Sequence, residues 1–176
     1  TRFLQEATGV EDALEDITPL SFRAPRSPEA AARLEGRLVD LEPVWVALKR
    51  LRSRYELLLV EGVGGVRVPL KPGYEVRDFI REMKVPALVV ARSGLGTLNH
   101  TALTVEALLS RNIPVIGFVL NDGPAPVDDA LASENARDLE GMTGLACLGR
   151  VRPDSLILAG RRALSEATVA ALRVPV

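Results

Sequence analysis

Three apolar runs, each closed by a polar turn that carries glycine, limit what this chain can fold into more than any other feature. Residues 57–60 end at Glu61-Gly62, residues 85–91 at Arg92-Ser93-Gly94, and residues 114–120 at Asn121-Asp122-Gly123. The runs are apolar throughout rather than alternating, which is the pattern of strands buried on both faces. Stretches with helical periodicity lie between them. Strand and helix therefore alternate, and the expected fold class is α/β: a parallel sheet flanked by helices on both faces. In such a sheet the carboxyl ends of the strands share one edge, and the ligand crevice opens beyond that edge. Three polar, glycine-bearing strand ends on one edge point to a site more strongly than any one of them alone.

Read in order, the chain opens at Thr1 with residues that look like the last turns of a helix closed by Gly9. With no initiating Met, it reads as the downstream part of a longer protein. Residues 10–26 form a connection. Ser27 is the expected N-cap of a helix with Pro28 in its first position and Glu29 in its first turn, ending near Gly36. A second helix follows Asp40, with Val44, Leu48, Leu51 and Tyr55 on one stripe and Lys49, Arg50, Arg52 and Arg54 near its C-terminus, where cations suit the dipole. After the glycine turn at 62–65, residues 66–70 make a short strand and Lys71-Pro72-Gly73 a turn. A helix over 75–84 presents Val76, Phe79, Ile80 and Met83. The helix over 97–111 should bury Leu98, Ala102, Val105 and Leu109. An amphipathic helix over 128–140, a fourth strand over 146–149 and a last helix over 164–172 complete one α/β domain, residues 1–176.

Bulk properties narrow the function classes. With 47% apolar residues the chain builds a substantial core, and its formal net charge of -1 gives no general attraction to nucleic acid. No apolar run reaches the ~18 residues of a membrane span. A single cysteine, Cys147, rules out an intramolecular disulfide and a cysteine metal cluster. A cytoplasmic protein is the simplest expectation. His100 is the sole histidine and is read as structural, and no Ser-His-acid triad can be assembled.

The strand ends carry the candidate chemistry. Glu61 is a hard oxygen ligand suited to Mg²⁺, which takes one or two carboxylates and shares its other positions with phosphate and water. Gly62, Gly64 and Gly65 allow left-handed backbone and close approach to a ligand. The run Arg92-Ser93-Gly94-Leu95-Gly96-Thr97 leads into a helix, whose N-terminal amides suit a phosphate or a carboxylate. It is equally readable as an ordinary helix start with Thr97 as N-cap. Asn121 offers a donor and acceptors for a purine edge, or it is a turn residue in Asn-Asp-Gly. No G-x-x-x-x-G-K-[ST] occurs, so a triphosphate cradle is not among these residues.

Taken together, the segments resemble the dethiobiotin synthetase family, whose fold is P-loop NTPase-like. The matching pieces are Glu61-Gly62-Val63-Gly64-Gly65 with Pro69-Leu70, then Arg92-Ser93-Gly94-Leu95-Gly96-Thr97-Leu98-Asn99-His100-Thr101, then Asn121-Asp122. Upstream, Pro19-Leu20-Ser21-Phe22 with Pro25 and Ser27-Pro28 agree as well. The resemblance implies an ATP- and Mg²⁺-dependent ligase that closes the ureido ring of dethiobiotin from 7,8-diaminopelargonic acid and CO₂. It implies that Glu61 binds Mg²⁺ and that Glu61, Gly62, Val63 and Gly64 line the nucleotide site. Asn121 and Asp122 would contact adenine, and Gly94, Leu95, Gly96 and Asn99 would hold the substrate carboxylate in a homodimer. The family has Ile-Pro after the fourth strand, where this chain has Val151-Arg152-Pro153-Asp154, so Arg152, Pro153 and Asp154 take the adenine-contact segment with an open register. The family's P-loop, catalytic lysine and second acidic metal ligand lie upstream of the matching part, with the first strand or strands of the sheet. These 176 residues alone are therefore expected to be inactive. Three alternatives remain at this point: a cobalamin-type amidation enzyme, a partitioning-type switch ATPase, and a regulatory remnant without activity.

Overall fold

The computed structural model of the chain describes residues 1–123 and 127–152. Pro153, Asp154 and the helix expected over 164–172 lie outside the described residues. The backbone divides into two compact units, Thr1–Val76 and Arg77–Val176.

The first unit holds α1 (Arg2–Thr8), α2 (Leu14–Ile17), α3 (Pro28–Leu34), α4 (Glu42–Arg52) and a two-stranded antiparallel hairpin of β1 (Pro69–Lys71) and β2 (Tyr74–Glu75). Gly9 closes α1 and donates its N–H to the Gln5 carbonyl. Pro28 sits in the first turn of α3, as its sequence predicts, but Ser27 makes no side-chain cap. Ala31, Ala32, Leu41, Ala47 and Leu70 are buried and form the core of this unit. The connection after α1 is more ordered than the sequence suggests, because α2 forms within it and is tied down by charge. Asp12, almost fully buried, accepts hydrogen bonds from Arg54 and Tyr55, and Asp16 receives Arg50 Nη1 at 2.7 and 2.9 Å. Two of the cations assigned to the α4 dipole thus pair with acids of the preceding connection.

The expected strand over residues 57–60 is corrected. These residues form no strand and pair with no described segment, and Leu57, Leu59 and Val60 are 47%, 66% and 46% exposed. A parallel strand is defined by its neighbours: with no ladder to join, an apolar run gains neither hydrogen bonds nor a covering layer.

The second unit is the α/β part. The helix α5 (Val76–Met83) leads into it; of its predicted face Val76, Phe79 and Met83 are buried and Ile80 is half-buried, while Arg77 and Asp78 are buried as well. A parallel sheet follows in the order β3 (Ala87–Arg92), β4 (Val115–Asn121) and β5 (Cys147–Val151). The crossovers are α6 (Thr97–Leu109) and α7 (Asp129–Thr143), which pack on each other and on the sheet, so both lie on one face. Val89 and Ala91 point to that face and are buried, whereas Val90 between them is 64% exposed. On α6 the buried stripe is Thr97, Thr101, Val105 and Leu108 rather than Leu98, Ala102, Val105 and Leu109. The rotation is possible because the two threonine hydroxyls bond each other at 3.2 Å, so neither is left unsatisfied in the core.

Two register shifts interrupt the ladders of the sheet. Ile116 is an extra residue on β4 against β3, and Leu148 is one on β5 against β4. A glycine follows each bulge, Gly117 at φ 150° and Gly149 at φ 153°. A Cβ on Gly117 would meet the Ala146 carbonyl oxygen at 2.8 Å and Leu148 Cγ at 2.9 Å, whereas one on Gly149 would meet nothing within 4 Å. Gly117→Ala should therefore cost about 1–3 kcal/mol from overpacking, in addition to the backbone penalty that both positions share. Gly149→Ala should cost less. Urea denaturation of both variants checks this, and equal losses would show that backbone angle alone is at stake.

Candidate functional site

The strand ends of the second unit meet as the sequence predicts. In the sheet register Arg92 stands beside Asn121, and Asn121 beside Val151. The ladder continues into the turns: Ser93 donates its N–H to the Asn121 carbonyl at 3.2 Å, and Asp122 donates to Val151 at 3.0 Å. The residues after β3, β4 and β5 therefore share one edge. Asn135 of α7, buried, fixes that edge from below by donating Nδ2 to the Ser93 carbonyl at 2.8 Å.

Gly94, Leu95 and Gly96 bridge β3 to α6. The N-cap of α6 is Gly96, which offers no side chain to the first amides. Thr97 is not the cap; its hydroxyl faces inward to Thr101. Thr97 donates its N–H back to the Gly94 carbonyl at 3.3 Å, and no side chain caps the amides that follow, so these face solvent or a ligand at the positive end of a 13-residue helix. Leu95 is 93% exposed beside it, and Asn99 and His100 are exposed on its first turn.

Asn121 uses Oδ1 to accept the Gly123 N–H at 3.0 Å, closing the turn after β4. The turn reading and the recognition reading are compatible, since this bond leaves the amide Nδ2 as a donor. Asp122 is engaged differently. Its carboxylate is held by a two-pronged contact from Arg150, Nε at 2.7 Å and Nη2 at 2.8 Å, with the two side chains 2% and 17% exposed respectively. Arg150 also donates to the Val127 carbonyl and to Asp129 Oδ1, both at 2.7 Å, and Arg152 adds a second, exposed contact to Asp129 at 3.0 Å. The Arg150 guanidinium holds the Asp122 carboxyl below its usual range, against the opposing effect of burial. Arg150 is raised in turn by Asp122. The Ser93 hydroxyl, fully buried, has no well-formed hydrogen bond among the described residues, yet it lies near enough to Asp122 to favour the charged carboxylate. Sequence reasoning missed Arg150, Ser93 and Asn135 as organisers. Only Arg150 left a signal: it is an arginine in line with an apolar strand, where a long cation persists only if it is paired.

Glu61, Gly62, Val63 and Gly64 belong to the first unit and form an exposed loop. The Glu61 carboxylate makes no hydrogen bond or ion pair among the described residues. Gly64 has φ 66°, and a Cβ there would stand 3.0 Å from Val68 Cγ2, so the loop depends on glycine at that point. No group of three or more His, Cys, Asp or Glu side chains suited to a metal occurs among the described residues. A metal held here would take one carboxylate from Glu61 and its remaining ligands from elsewhere. That donor set fits Mg²⁺, which keeps waters and phosphate oxygens around a single carboxylate. No described helix is long and apolar enough to cross a membrane.

Residues 1–159 match a family model described as AAA domain, and the chain's α/β sheet is that of this class. Among curated relatives, the ATP-dependent dethiobiotin synthetase BioD of Anaeromyxobacter dehalogenans (strain 2CP-C) is 47% identical over 140 residues, 80% of this chain and 62% of the relative. Those of Thermodesulfovibrio yellowstonii and Endomicrobium trichonymphae are 39% and 40% identical, over 83% and 82% of this chain and 64% and 68% of theirs. The chain belongs to the dethiobiotin synthetase family. It spans less than two thirds of the length of the first of these relatives.

The Asp122–Arg150 pair sets a pH dependence whose sign follows from the depressed carboxyl. Stability from such a group is fully present above its unfolded value of 3.8 and is lost as pH falls through the lower folded value. Arg150→Met leaves a buried carboxylate without its partner and should cost about 3–5 kcal/mol at neutral pH. The deficit should narrow as Asp122 takes up a proton in acid. Denaturation across a pH series checks this, and a deficit independent of pH would assign the loss to packing instead of charge.

Proposed function

We propose that this chain is the downstream part of a single P-loop α/β domain in an ATP- and Mg²⁺-dependent cyclo-ligase. Its substrates are 7,8-diaminopelargonic acid, CO₂ and ATP, and its product is the ureido ring of dethiobiotin. The observation that carries the reading is the uncapped start of α6, on the same sheet edge as the Asn121 amide, in a chain of this family. On this reading the protein is a cytoplasmic homodimer with small-molecule substrates and neither nucleic acid nor membrane as a partner.

Each residue has a chemical task. The amides around Gly94, Leu95 and Gly96, with the Asn99 side chain, receive the carboxylate of the diamine substrate, and the helix dipole favours its charge. Fixing that remote carboxylate holds the reacting amines in place, so binding energy far from the chemistry is spent on orientation. One amine captures CO₂ as a carbamate and releases a proton. A carbamate oxygen attacks the γ-phosphorus of ATP, ADP leaves, and the mixed anhydride results. The second amine then attacks the carbamoyl carbon and loses a proton to solvent, the C–O bond to phosphate breaks, inorganic phosphate departs, and the ring is closed. Glu61 would hold Mg²⁺, which would supply neutralisation of charge on the transferring phosphate. The main chain of Gly62, Val63 and Gly64 lines the nucleotide, where the absence of side chains on two of the three positions permits close approach. Asn121 donates from Nδ2 to the purine edge. Asp122 serves through its turn, since its carboxylate is taken up by Arg150. Arg152, Pro153 and Asp154 complete the base end.

Full-length protein supplied with diaminopelargonic acid, bicarbonate and Mg-ATP should release one phosphate for each ureido ring. Release that depends instead on glutamine and a corrinoid would reject this activity. Glu61→Gln should lower turnover by at least about tenfold, as loss of a metal ligand does. Stability should move by no more than about 0.5 kcal/mol, because the side chain is exposed and has no partner among the described residues. Full activity in that variant would remove Glu61 from the metal site.

A further inference from the structure

The guanidinium of Arg150 is the most connected side-chain group on the strand-end edge, and the reaction chemistry has no use for it. Four hydrogen bonds run from it to described residues: two to Asp122, one to the Val127 carbonyl and one to Asp129. Those partners bracket the connection between β4 and α7. Asp122 is its first residue after β4, Val127 precedes the N-cap Asp128, and Asp129 opens α7. Arg150 itself sits on β5 directly beside Leu120, one register step before Asn121 meets Val151.

We infer that Arg150 is a positioning residue for the nucleotide base. It pins both ends of the β4–α7 connection to β5 and so presents the Asn121 amide in one orientation. The inference rests on the proposed nucleotide role of this edge and deepens it. The mechanical chain is short. Asn121 Oδ1 is committed to the Gly123 N–H, so the direction of Nδ2 is set by the turn at 121–123. That turn is held from one side by the ladder bond from the Asp122 N–H to Val151, and from the other by the fork on the Asp122 carboxylate. A planar guanidinium meets a carboxylate with two parallel donors and still reaches the Val127 carbonyl and Asp129. A lysine ammonium has the same charge but cannot span three acceptors lying in different directions. Charge alone would therefore not preserve the geometry.

This role has a kinetic signature that a purely structural role lacks. Loosening the Asn121 turn weakens recognition of the base without touching the phosphates or the amines. In the full-length enzyme, Arg150→Lys should raise KM for ATP about tenfold, equivalent to ~1.4 kcal/mol, with kcat within about twofold of the parent. The preference for ATP over GTP should shrink in parallel. Asp129→Asn keeps the Asp122 fork and alters an exposed group, so its fold is secure; KM should rise about threefold, consistent with weakening one charge-assisted bond. If both variants fold and both keep the parental KM and nucleotide preference, the positioning role is wrong. It is equally wrong if the loss is confined to kcat, or if only the melting temperature falls. Should Arg150→Lys fail to fold, the Asp129→Asn result decides. Parent enzyme with no ATP-dependent turnover would overturn the functional reading and this role with it, whereas an active parent with unmoved variants would overturn this role alone.

Discussion

Parallel pairing of β4 with a neighbour on each side is the constraint on which the second unit depends. Because β4 is central, Phe118, Val119 and Leu120 are buried, and its ladder continues past the strand into Ser93 on one side and Asp122 on the other. The polar turns after β3 and β4 are thus held at fixed separation by main-chain bonds before any side chain acts. The bulges at Ile116 and Leu148 belong to the same constraint. Each adds a residue to one strand, and the glycine after it absorbs the unusual backbone, so the carboxyl ends still finish level.

Two buried acids in this chain, Asp12 and Asp122, are each answered by an arginine and by a second hydrogen bond. Asp12 in the first unit is nearly closed from solvent and is met by Arg54 and by the Tyr55 hydroxyl. Asp122 in the second is met by the Arg150 fork. In both cases the acid lies in a connection and the cation on or beside a regular element, so the pair converts a connection into part of the framework. Exposed pairs such as Arg152 with Asp129 cannot do this, because solvent screens them and both side chains retain alternatives.

Much of the second unit was legible in the sequence, for reasons that lie in particular residues. The runs at 85–91 and 114–120 are apolar enough that only buried strands suit them, and both formed, within a residue or two. Their polar ends fell together because a parallel sheet leaves no other arrangement. Two features of the candidate site were placed to the same depth: the α6 start and the Asn121 turn follow from backbone rules that local sequence obeys. What was not legible depended on partners far away in the chain. The α6 stripe turned because Thr97 found Thr101, which periodicity of apolar residues ignores. Arg150 became an organiser because Asp122, Val127 and Asp129 surround it in space, over 28, 23 and 21 residues of separation. The short helix α2 escaped notice because pairing of Asp12 and Asp16 with α4 and the residues just after it, not local propensity, holds its surroundings.

Residues 57–60 show the opposite case, a strong local signal that the fold leaves unused. Nothing in the run disfavours β structure, and three of its four apolar side chains, Leu57, Leu59 and Val60, stand exposed. Strand formation is a property of a pair, so a sequence can specify readiness for a sheet without supplying the sheet. On the proposed reading, the partner of this run is the strand that carries the P-loop, in the portion of the family's length that these residues do not span. That assignment also accounts for the loop that follows. Gly64 sits in a left-handed turn against Val68, so the bend after Glu61 is shaped by the first unit itself and does not wait for the sheet. Pairing of the run would then bring a loop with a built-in bend to the nucleotide with its carboxylate unpaired, and ordering the site would require fixing one strand instead of a strand and a turn.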